Sequence, residues 1–152
     1  MIAQTAWLDR EFVFHDPIGL FPIVVERLRG TPARAKELVI GLTENELATR
    51  VNGKWSVKEH LGHLVDLQPL DDRRLKEFLN HAEVLSAADV ENHATEIADH
   101  RSVSIAHIIQ TLAASRQDLV LRLEMMTEEE VGESCFTLVC RNRCAFWTGF
   151  IS

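Results

Sequence analysis

One stretch restricts the fold more than any other. Between Ser104 and Met125, apolar side chains recur at Ile105, Ile108, Ile109, Leu112, Leu119, Val120 and Leu123, with Arg116 and Asp118 beside them. This three-and-four spacing lines one face of an α-helix. The same rhythm runs through a first arm at Leu20, Ile23, Val24 and Leu28, then at Ala35, Leu38, Val39 and Leu42. Asp16 as N-cap and Pro17 in the first turn open that arm, and Thr43-Glu44-Asn45 closes it. Pro32 cannot donate a backbone hydrogen bond, so a kink or restart is predicted after Gly30-Thr31. A second arm follows the Asn52-Gly53 turn. Ser56 with Glu59 three places on forms a capping box, and buried positions are predicted at Val57, Leu61, Leu64 and Val65, continuing to Leu75 and Leu79. Pro69 predicts a second kink.

Residues 80–101 are polar and aperiodic, and read as a long connection with a short helix near Ala87. No strand alternation competes before residue 134. Three long kinked amphipathic helices predict an all-α, up-and-down helical bundle, and such a core needs a fourth partner to close it. At 152 residues the chain is expected to be one domain, 1–152.

Composition narrows the function. With 16 basic and 23 acidic residues and a net charge of −7, there is no basic excess to neutralise phosphates, which argues against a nucleic-acid partner. No uncharged apolar run approaches the roughly 20 residues of a membrane span. The first fifteen residues mix charges and lack the apolar centre of a secretory signal, so a soluble, cytoplasmic protein is expected.

Seven histidines in an acidic chain raise the question of a metal. His60 and His63 lie three apart on the second arm, on a face shared with Leu67 and Leu70. Imidazole nitrogen suits zinc, nickel or copper, and bundles gather ligands from facing helices. Such a pair also arises as one buried and one exposed side chain. His107 falls outside the isoleucine stripe and is expected in solvent. His15, His81, His93 and His100, in the first arm and the long connection, are expected to have no part in a site.

The run Gly53-Lys54-Trp55-Ser56-Val57-Lys58-Glu59-His60-Leu61-Gly62-His63-Leu64 resembles the G-K-W-S-x-x-E-x-x-x-H-L segment of the DinB/YfiT-like superfamily. The resemblance extends back to Glu26–Arg34 and forward through Asp66–Leu70 and Ala87–Asp89 to Asn92, Thr95 and His100. It spans about residues 7–134. It implies a four-helix bundle holding a divalent metal, zinc or nickel, on three histidines, one from the second helix and two from the fourth. It also implies metal-dependent thiol transferase or isomerase chemistry on a small-molecule thiol substrate, the ion acting as a Lewis acid. Matched residue by residue, His63 takes the second-helix ligand position and His60 does not. Asp66, one turn further, is either an orienting partner of His63 or a surface carboxylate. The fourth-helix pair has no counterpart, because no histidine follows His107. Two readings follow: a DinB-like metalloenzyme impaired by missing ligands, and a non-catalytic helical interaction module forming a homodimer.

The tail differs from the rest. Cys135, Cys140 and Cys144 are the only cysteines, and no Asp or Glu follows Glu133. An odd count at these spacings matches neither a disulfide framework nor a zinc motif. Residues 135–152 read as a hairpin about Arg141-Asn142-Arg143 better than as a fourth helix, so the family-like part is 1–134. A shifted reading frame accounts for the break. Trp147 has one codon, TGG, and Thr148 begins AC, so regrouping forces an aspartate there, preceded by a leucine. Permitted codons extend this to a segment resembling the family's H-P-R-L-x-x-P-M-R-x-x-D approach to its fourth helix. The other reading is a naturally divergent tail. A truncated bundle would expose an apolar seam.

Overall fold

The computed structural model describes residues 17–132. A short 3-10 turn at Ile18–Leu20 leads into α1 (Phe21–Arg29) and α2 (Thr31–Leu38); α3 is Glu44–Ala48, α4 Val57–Asp66, α5 Gln68–Leu79, α6 His93–Ile97 and α7 Ile105–Glu124. Among the described residues the protein is all-α, with one isolated bridge between Val51 and Lys54 at the Asn52-Gly53 turn.

Both proline breaks fall where the sequence predicts them. The helices restart at Thr31 and Gln68, placing Pro32 and Pro69 in first turns, where a missing N–H leaves no bond unmade. The capping box at Ser56 starts α4: Glu59 N donates to Ser56 Oγ and Ser56 N donates to Glu59 Oε2 at 2.8 Å. The same device recurs at Thr43 with Glu46 and at Thr127 with Glu130. The latter begins a helical turn over residues 128–132, the end of the described part. The predicted hairpin and the cysteines lie outside the described residues, as do His15 and the Asp16 cap.

Helix α7 packs against α1, α2, α4 and α5. One apolar cluster joins Val25, Leu28, Leu75, Leu119, Val120 and Leu123; another joins Ala35, Leu64 and Leu112, with Leu61 and Val65 against it. The α7 stripe is therefore the spine of the core, as its periodicity predicts.

Several expectations are corrected. Thr43-Glu44-Asn45 does not simply end the first arm; it caps α3, which buries Leu47. Leu38 is 78% exposed and Leu42 is exposed, because the helix stops at Leu38 and Gly41 turns with φ +84°. Val57 and Leu79 are also exposed. The short helix in the long connection is α6 at His93–Ile97, not near Ala87.

Two buried carboxylates meet arginines. Glu59 accepts from Arg50 Nε at 2.9 Å, and also from Arg50 Nη2, from Ser56 N and from Ser56 Oγ. Those donors, Arg50 above all, hold its carboxyl down at about 2. Asp71 on α5 accepts from Gln68 Nε2 at 2.9 Å and from Arg116 Nη1 of α7 at 3.3 Å. There burial outweighs the arginine and pushes the carboxyl up to about 6.

Candidate functional site

Four side chains converge where α4 meets the long connection. His63, in the last turn of α4, reaches Thr95 of α6: Nδ1 lies 2.9 Å from Oγ1. Thr95 donates that hydroxyl to Asp66 Oδ2 at 2.8 Å. His100 Nε2 lies 2.8 Å from the same oxygen. A carboxylate oxygen only accepts, so His100 carries its proton on Nε2. Since the single hydroxyl proton of Thr95 goes to Asp66, Thr95 Oγ1 accepts from His63 Nδ1–H. The Nε2 of His63 is then a bare acceptor. Burial holds the His63 imidazole below its ordinary pKa, with Asp66 opposing, so the ring is neutral at neutral pH.

Local sequence builds this arrangement. The capping box fixes the start of α4, and one turn of helix separates His63 from Asp66, placing both on one face. Gly62, buried, makes room for the connection: a Cβ there would overlap the imidazole of His100. The connection is fastened around the site by polar bonds. Trp55 Nε1 donates to Glu96 at 2.6 Å, buried Lys58 pairs with Glu44 at 2.6 Å and donates to the Arg101 carbonyl, and Arg74 donates to the Ser86 carbonyl. The Trp55 ring centroid is 5.2 Å from that of His63 and 5.5 Å from that of His60.

Beside these groups lies a cleft of about 120 Å³, lined by His63, Asp66, Leu67, Leu70, Asn92 and Thr95 among others. A neutral, oriented imidazole at its edge can accept a hydrogen bond or a proton from a bound molecule.

His63 is half-buried and His60 exposed, the division expected of such a pair; His107 is in solvent, and His81 and His93 are exposed. His100 departs from expectation: it is buried and bound to Asp66. Asp66 is half-buried and orients His63 through Thr95 rather than directly. Thr95 and His100 were missed because the connection has no periodicity; their presence within the matched motif stretch was the only signal.

As to a divalent metal, His63 supplies one suitable nitrogen and Asp66, with Oδ2 committed to Thr95 and His100, at most one further oxygen. Among the described residues no group of three His, Cys, Asp or Glu side chains is placed to hold an ion. The donors of residues 17–132 thus do not fit the three-histidine site that the family resemblance implies, of which the sequence offers only His63. No helix among them is long and apolar enough to cross a membrane.

The fold is an α-helical bundle around one central helix, with a histidine-centred polar network at one flank. The sequence matches the DinB superfamily over residues 27–143, most of the chain, and the protein belongs to that family. No curated protein and no solved structure matches it.

Proposed function

We propose that this DinB-superfamily protein retains the second-helix imidazole of a metal-dependent thiol-transferase or hydrolase-like enzyme, His63, but is impaired in that chemistry. One observation carries the reading: within residues 17–132, no group of three His, Cys, Asp or Glu side chains is placed with His63 to hold an ion, and its Nδ1 is spent on Thr95. Sequence supports it, since no histidine follows His107.

Metal analysis of untagged protein tests this. Zinc or nickel well below one ion per chain is expected, and His63→Ala should change little. One ion per chain, held against a chelator and released by His63→Ala, overturns it.

A second reading, the non-catalytic helical module forming a homodimer, is favoured by apolar side chains left in solvent at the end of α2 and in the turn after it. Leu38 is 78% and Ile40 73% exposed, and Leu42 follows them. A dimer that dissociates on dilution and is lost in Leu38→Glu supports it; a concentration-independent monomer excludes it.

A further inference from the structure

We propose that the cleft between the α4–α5 junction and the connection binds a small organic ammonium ion with a short apolar tail. Three of the residues lining it carry an acceptor atom for which no donor is found among the described residues. Asp66 takes both its hydrogen bonds on Oδ2, leaving Oδ1. His63 uses Nδ1 on Thr95, leaving Nε2. The side-chain carbonyl of Asn92 is the third; Asn92 is held in the left-handed region at φ +57°, with only its backbone engaged. An ammonium carries three donors and no acceptor, which matches three acceptors and no competing donor charge.

Charge points the same way. Asp89 also lines the cleft and no Lys or Arg does, and the chain as a whole carries −7. A carboxylate or phosphate ligand would meet two like charges there, whereas a cation is drawn in. Leu67, Leu70 and Ala87 supply an apolar wall for a hydrocarbon tail. At roughly 10–15 Å³ of free space per water-sized group, the cleft admits a ligand of about eight non-hydrogen atoms.

The test is a titration of the full chain with n-butylammonium chloride at pH 7, followed by amide resonances in two-dimensional NMR. EDTA is present throughout, so the metal content and this site are judged separately. Saturable shifts concentrated at residues 63–70 and 87–95 are expected, with n-butanol at least tenfold weaker and butyrate without effect. Asp66→Asn should weaken binding at least tenfold. Because Asp66 also holds Thr95 and His100, Ala87→Trp is the companion: it fills the apolar end, leaves the acceptors in place, and should abolish the shifts in a folded protein. The proposal is overturned by absence of saturable shifts in the wild-type chain, by butanol binding as well as the amine, or by an unchanged titration in folded Ala87→Trp.

Discussion

Glu59 and Asp71 are both buried and both face an arginine, yet the first is held below its ordinary pKa and the second pushed above it. The difference lies in how many donors each receives and how much water each has lost. Glu59 sits at the start of α4, where the Ser56 backbone amide, the Ser56 hydroxyl and Arg50 all donate to it. Its charged form is the satisfied one. Asp71 lies between α5 and α7, with a glutamine amide and one guanidinium contact at 3.3 Å. There the cost of removing charge from water dominates. The flank that carries the candidate site is thus tied by polar bonds, and the α5–α7 seam by apolar packing that makes its buried carboxylate, Asp71, costly to charge.

The heaviest blow to this contrast is Leu119→Ala. Leu119 is fully buried one turn beyond Arg116, and its truncation should cost about 3 kcal/mol by chemical denaturation. If the seam's dryness is what lifts Asp71, the carboxyl midpoint should also fall from about 6 towards its ordinary value, as NMR titration reads. A midpoint that stays put assigns the shift elsewhere.

Next comes Glu59→Gln, expected to cost about 2 kcal/mol at pH 7 through the cap and the Arg50 bonds. The folded pKa of Glu59 is depressed, so its contribution is present above the ordinary glutamate range and is lost as pH falls towards about 2. Wild type and variant should therefore converge in acid; a gap that persists there means the loss is packing, not charge.

Gly62→Ala should cost about 1–2 kcal/mol by expelling His100 from Asp66. Faster amide exchange in residues 95–103, with the Glu59 midpoint unmoved, is the expected signature. A shift at Glu59 would instead join cap and connection into one unit.

The smallest change is expected from Asp71→Leu with Arg116→Met, within about 1 kcal/mol of wild type at pH 7, since a buried ion pair gains little over apolar packing. The folded pKa of Asp71 is raised, so its stabilisation is full below about pH 4 and is lost as pH rises through about 6. The double variant should lose that slope.

What could be read in advance follows from which forces leave a pattern. The α7 stripe, the restarts at Pro32 and Pro69 and the Ser56 box were legible because helix periodicity and capping are local rules. The exposure of Leu38 and Leu42 was not, since it depends on where α2 stops and what packs beyond it. Of the site, His63 and Asp66 stood out at helical spacing. Thr95 and His100 did not: they arrive from an aperiodic connection, 29 and 34 residues from Asp66, through contacts that only the folded chain creates. The Asp71–Arg116 pair was hidden for a related reason, because charges on a helix are ordinarily assigned to solvent.

The notch at Gly62 reaches into descent as well as stability. A Cβ at position 62 and the imidazole at position 100 cannot share their present places, so a lineage that gains a side chain at the first is expected to lose the ring at the second. In relatives of this chain the two positions should be found changing hands together, and a pairing of bulk with ring would mark a connection that has let go of its helix.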